Sequence, residues 1–149
     1  MQSIFEPAAC YALLERIDKL EDGATGQWGK MIVSQMLLHC QQPVKVALGE
    51  LQLKHSLIGK LFGKMAKKSF LKNETFKKNL PTAPEFLVKT QPAFDREKQQ
   101  LKSLVQRLLT ADQKAVAARV HPFFGKMNAE EWGELKWIHL DHHLQQFSA

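Results

Sequence analysis

Apolar residues recur at three- and four-residue spacing along most of this 149-residue chain, and no stretch alternates with period two. That pattern confines the chain to packed helices and predicts an all-α protein without a sheet. The clearest case is Asn128 to Phe147. Asn128 is a good N-cap, Glu131 completes a capping box, and Met127 with Trp132 fits a hydrophobic staple. On a wheel of about 100° per residue centred on His139, the residues Trp132, Leu135, His143 and Gln146 share its face. His142 and Lys136 lie at the edges of that face, and Trp137 and Asp141 point away. His139 and His143 are one turn apart, a rise of about 6 Å, so both imidazoles can reach one ion. Two histidines at this spacing can equally be helix-face residues bonded to water or a neighbouring carbonyl.

The rest of the chain reads as further helices. Cys10, Leu13, Leu14, Ile17 and Leu20 form the stripe of a first helix, which starts at Ser3 through a Ser3–Glu6 capping box or at Pro7 as a first helical residue. A loop with Trp28 between Gly26 and Gly29 follows, and its Trp is expected to anchor over a bundle end. The second helix is expected over roughly Met31 to Leu51, with Ile32, Gln35, Met36, His39 and Val46 on one stripe and a kink after His39, because Pro43 cannot bond the carbonyl of residue 39. Ser56 to Phe70 is a weaker pattern, reduced by Gly59 and Gly63. Lys72 to Pro92 reads as a long irregular connection, a common place for a lid. Asp95 is expected to cap a fourth helix whose stripe is Leu101, Leu104, Val105, Leu108 and Leu109. A short helix around Ala111 to Ala118 and a tight aromatic turn, His121 to Met127, lead into the last helix. Phe123 and Phe124 are expected to plug the end of the core.

Four long amphipathic helices with one extra short one imply a helical bundle forming one domain over residues 1–149. The composition, 44% hydrophobic and 24% charged, is that of a soluble globular protein. No apolar run is long enough to span a bilayer, and the N-terminus lacks a basic region followed by an apolar core, so no signal peptide and no membrane attachment are expected. Cys10 and Cys40 read as two reduced, half-buried thiols. The net charge of +6 is local: the nine lysines from Lys54 to Lys89 face only Glu74 and Glu85, leaving −1 for the remainder. No base-reading motif accompanies them, so sequence-specific nucleic-acid binding is not expected. Trp137, Leu140 and Leu144 make the last helix apolar beyond its histidine face, and covering them takes a neighbouring helix or a second copy. A homodimer is expected on that ground.

If the second and last helices are neighbours, His39, His139 and His143 converge. Three imidazoles leave a divalent metal with an open coordination position, the arrangement of a reactive site. Three segments carry a family resemblance: Trp28-Gly29-Lys30-Met31 leading to Gln35-Met36-Leu37-Leu38-His39; His121-Pro122-Phe123-Phe124-Gly125; and His139-Leu140-Asp141-His142-His143-Leu144-Gln145-Gln146-Phe147. With these the chain resembles the DinB/YfiT-like superfamily of metal-binding bundles, in a branch known only as a domain of unknown function. The resemblance implies an up-down-down-up four-helix bundle with the metal triad on His39, His139 and His143. It also implies a bacterial, cytoplasmic protein, and a metal-dependent enzyme such as a transferase using a low-molecular-weight thiol or a hydrolase. The lysine-rich middle matches nothing in that pattern.

All-nitrogen ligation suits zinc, nickel, copper or iron, and zinc or nickel is expected here. Gln35, one turn before His39, is a candidate to bond a ligand or an imidazole, and Gln146 has a similar claim. His142 is read as an outer partner or a surface residue. His121 precedes Pro122 in a loop able to fold over the bundle mouth; it is a lesser candidate for the same surroundings, and a structural role is the stronger reading. No clear general base stands near the three histidines. The alternative to an enzyme is a non-catalytic metal-binding or stress-response protein.

Overall fold

A computed structural model describes all 149 residues. In chain order the helices are α1 (Pro7–Asp18), α2 (Val33–Leu48), α3 (Leu57–Asn73), α4 (Phe94–Leu109), α5 (Gln113–Ala117) and α6 (Ala129–Gln146), with a 3-10 turn at Pro84–Phe86. One departure from an all-helical chain appears. Val120–His121 (β1) and Gly125–Lys126 (β2) form an antiparallel hairpin, pairing Val120 with Lys126 and His121 with Gly125. Two residues per strand are too few to display an alternating pattern, so this hairpin leaves no period-two signal in the sequence.

The core lies where α4 and α6 each pack against both α1 and α2. The stripes meet there: Leu13 and Ile17 from α1, Met36 and Leu37 from α2, Leu101, Leu104 and Leu108 from α4, and Trp132 and Leu135 from α6, all at most 1–2% exposed. Each such side chain contributes roughly 1.5–3 kcal/mol by leaving water. The other sides of α6 are also covered by this chain, since Leu140 and Leu144 are buried and Trp137 packs on the core. The feature that motivated a homodimer is therefore satisfied within one chain. A polar tie adds to the α2–α4 contact: Gln41 Nε2 donates to the buried Glu97 carboxylate at 2.8 Å.

Local chemistry sets the helix ends. At α6 the capping box forms as the sequence implies: Asn128 Oδ1 accepts from Glu131 N at 2.8 Å, and Glu131 Oε2 accepts from Asn128 N at 3.0 Å. α1 starts at Pro7, and Glu6 precedes it without a side-chain cap. α2 is shorter than expected. It begins at Val33, where Gln35 Oε1 accepts from Ile32 N at 3.1 Å, and ends where Gly49 turns left-handed at φ 79°. α4 begins one residue before Asp95, with Ala93 at the N-cap. Burying the Phe94 ring fixes that entry, and Asp95 instead faces the positive end of the helix from its first turn. The thiols of Cys10 and Cys40 are fully buried, at 0% and 1% exposure.

The two glycines of α3 are explained by contact. Its inner side lies on the turn of the hairpin, and a Cβ at Gly63 would come within 2.1 Å of the Phe123 carbonyl oxygen; at Gly59 the figure is 2.5 Å. Glycine in a helix costs about 1 kcal/mol relative to alanine, yet only a bare backbone lets α3 sit this close. Gly63→Ala should therefore lower stability by about 1–3 kcal/mol instead of raising it. Thermal unfolding of the variant checks the sign.

Candidate metal centre

α2 and α6 are neighbours, and their contact brings three imidazoles together. The nearest ligand atoms of His39, His139 and His143 all lie within 4.8 Å of one another. The rings of His39 and His143 are 4.8 Å apart between centroids, and those of His139 and His143 4.7 Å. His39 Nε2 stands 3.2 Å from His139 Nε2. Two nitrogens each about 2.0–2.1 Å from one tetrahedral ion would be about 3.3 Å apart. The donor set and the spacing of that pair therefore fit a divalent metal, and the His143 ring stands beside both.

Two hydrogen bonds decide which nitrogens keep a free lone pair. His39 Nδ1 lies 3.1 Å from the Phe86 carbonyl oxygen. A carbonyl only accepts, so Nδ1 carries the hydrogen and Nε2 the lone pair. His143 Nδ1 lies 2.8 Å from Gln146 Oε1. The Gln146 amide is held in that direction because its Nε2 donates to the Trp28 carbonyl at 2.7 Å. His143 therefore also donates from Nδ1 and keeps the Nε2 lone pair free. Gly29 makes this relay fit: its φ is +77°, and a Cβ there would lie 2.8 Å from Gln146 Nε2. With a lone pair on His39 Nε2, the short contact to His139 Nε2 is satisfied by a hydrogen on His139 or by a cation between them.

The three rings are held neutral. Burial lowers His39, against a smaller opposing pull from the Phe86 carbonyl. Burial first, then the neighbouring His143 and His39, place His139 well below its ordinary value. His143 is pushed down to about 3, mostly by burial. Neutral imidazole is the form that binds a metal.

The irregular segment after α3 lies over the cluster. Besides the Phe86 carbonyl, the Phe76 ring stands edge-on to His139 at 5.9 Å and to His142 at 6.0 Å. Trp28, expected to anchor over a bundle end, borders the site: its ring is 5.3 Å from that of His142, and Lys78 Nζ lies 4.4 Å above it.

The remaining candidates divide. Gln146 bonds an imidazole. His142 packs beside His143, with ring centroids 5.2 Å apart, outside the three-ring cluster. Gln35 does not reach an imidazole; its Nε2 donates to the Thr90 carbonyl at 3.0 Å and so ties down the covering segment. His121 is drawn elsewhere, because its Nδ1 accepts from Phe123 N and Phe124 N, both at 3.1 Å, and closes the hairpin turn. Asp141 is turned outward into an ion pair with Arg16 at 2.7 Å. Cys40 Sγ faces Met36 Sδ at 3.6 Å. Lys136 is the residue the sequence undervalued. It is 4% exposed, has no carboxylate partner, and lies with Nζ 5.2 Å from the Trp132 ring centroid. Burial pushes it down to about 7, so a neutral amine is available one turn before His139. Its place on the wheel, three residues before His139, was the available signal.

Fold and site thus define a mainly helical protein with a cluster of three histidines between two core helices. The chain belongs to the family described as "Protein of unknown function (DUF1569)", whose profile matches residues 6–149. No curated protein and no solved structure matches the chain.

Two outcomes follow from this geometry. Gln146→Ala removes the acceptor that orients His143 and should weaken metal binding about 10–100-fold with helical content unchanged, whereas His142→Ala should matter little. Metal titration on both variants checks this. The metal-free protein should also lose stability in acid. The unfolded chain takes up protons on these histidines below about pH 6.5 and the folded chain does so only at lower pH, so each steepens the loss by up to about 1.4 kcal/mol per pH unit. Urea unfolding between pH 7.5 and 5, with and without zinc, measures that slope.

Proposed function

We propose that this protein is a metal-dependent enzyme of the DinB/YfiT-like kind, built on an up-down-down-up bundle. His39, His139 and His143 hold one divalent ion, zinc or nickel. The observation that carries this reading is the tautomer arrangement: two separate acceptors, the Phe86 carbonyl and the Gln146 amide oxygen, leave the Nε2 lone pairs of His39 and His143 free in a cluster whose three rings lie together. A purely structural pair of histidines has no need of that convergence. Three protein ligands would leave a position for a substrate atom, and a metal held there would lower the pKa of a water or thiol so that it could act as a nucleophile at neutral pH.

The reaction class is transfer of a low-molecular-weight thiol to an electrophile, or hydrolysis. Lys136, one turn before His139 on the same helix, can accept a proton at neutral pH, since burial holds it to about 7. Phe76 and Phe86 give the reacting position an apolar border, and Lys78 beside Trp28 favours an anionic substrate at the mouth. A bacterial, cytoplasmic setting fits the use of such thiols.

The test pairs metal content with turnover. Wild-type protein exposed to zinc or nickel at pH 7.5 should hold one equivalent and catalyse conjugation or hydrolysis in a panel of thiols and electrophiles. His143→Ala should bind at least about 100-fold more weakly, beyond the loss expected for an outer partner, and should lose that activity while keeping its helical signal. Protein that stays metal-free overturns the proposal. Protein that binds one equivalent and turns over none of the panel supports a non-catalytic metal-binding role instead.

A further inference from the structure

Away from the histidines, the exposed apolar surface concentrates on α3. Leu57, Ile58, Leu61, Phe62 and Met65 are between 52% and 77% exposed. They stand at i, i+1, i+4, i+5 and i+8, so they form one continuous stripe. Single exposed apolar side chains are ordinary, but a contiguous patch marks a surface that binds something. The outward orientation is fixed, because Gly59 and Gly63 lock the opposite side of α3 onto the Phe123 backbone, and turning the helix would drive Cβ-bearing residues into that contact.

The charge on this helix says what fits. Over Leu57–Asn73 there are five lysines and no acidic residue. Lys67 pairs with Glu131 at 2.6 Å, while Lys60, Lys64, Lys68 and Lys72 have no carboxylate partner. Two-fold pairing of α3 with α3 of a second copy would set these lysine rows against each other with no acid on either helix. An anionic bilayer surface satisfies both features, since its headgroups neutralise the lysines and its acyl boundary takes the apolar stripe. No helix of the protein is long and apolar enough to cross a membrane, which bears on crossing and not on lying in the interface.

We propose that α3 is a docking helix for an anionic membrane surface, lying in the interface plane with Leu57, Ile58, Leu61, Phe62 and Met65 inserted and the free lysines at the headgroups. The proposal is independent of the metal and of any reaction.

Vesicle flotation with the full chain tests it, comparing phosphatidylcholine vesicles with vesicles that also contain phosphatidylglycerol. Binding is expected to the anionic vesicles at low salt, weaker at high salt and weak to neutral lipid. Each lysine near such a surface is worth roughly a factor of five, so replacing Lys60, Lys64, Lys68 and Lys72 together with Gln should reduce binding by several hundred-fold. Leu61→Ser with Phe62→Ser should reduce it at least about tenfold. These side chains are exposed, so circular dichroism should be unchanged; if the serine variant loses helical signal, the lysine variant and the salt series decide. No binding of the wild type to anionic vesicles at low salt overturns the proposal. So does binding that neither variant weakens. A dimer in sedimentation that Leu61→Ser with Phe62→Ser dissociates, with no vesicle binding, also overturns it and assigns the stripe to a second copy.

Discussion

The Gln146 side chain stands at the point on which the site depends. Its amide has one oxygen and one nitrogen, and each end has a single fitting partner: His143 Nδ1 for the oxygen and the Trp28 carbonyl for the nitrogen. The backbone of the same residue accepts from Gln27 N at 2.7 Å, so the loop before α2 is fastened to the end of α6 twice. A hydrogen bond of this kind contributes only about 1 kcal/mol net, but leaving a buried imidazole hydrogen unmatched would cost more. The direction of the amide therefore sets the tautomer of His143, and the tautomer decides whether the ring can serve as a ligand.

The second inward-facing ring depends on a different part of the chain. His39 is oriented by a carbonyl of the 3-10 turn, and that turn belongs to the segment that lies over the cluster. Orientation of the ligand and covering of the site are therefore done by the same backbone. Any movement of the segment that exposes the histidines also removes the acceptor from His39 Nδ1. Gln35 opposes such movement from α2 by holding the Thr90 carbonyl. Rigid helices supply the three rings, and irregular backbone supplies the conditions under which they can bind.

Which parts of this were legible in the sequence follows from how far each signal reaches. The faces of α6 could be read because the helix repeats regularly after a self-contained start at Asn128 and Glu131, and that repeat groups His139 with His143 and Gln146. The helical stripes also gave the core. The partners that define the site were not legible, because they join residues with no common period: Phe86 with His39, Trp28 with Gln146. The bonds that Gln35 and His121 make were hidden for the same reason, since a backbone carbonyl or amide offers no side-chain signature. The hairpin was too short to be seen, and the start of α4 was set by burial of Phe94 and not by the better cap beside it. The glycines of α3 looked like weaknesses until the Phe123 carbonyl was found against them.

Burial of the two cysteines has a practical bearing on the chemistry. Cys10 and Cys40 are sealed in the core, and burial pushes the Cys10 thiol up to about 11 and Cys40 higher still. Only the thiolate attacks electrophiles, so at neutral pH the folded protein has almost no nucleophilic sulfur of its own. An electrophile offered together with a small thiol would be consumed by that thiol and not by the protein. The same shielding turns the cysteines into reporters, because their alkylation requires the core to open and its rate follows the unfolded population in a chain that needs no added label.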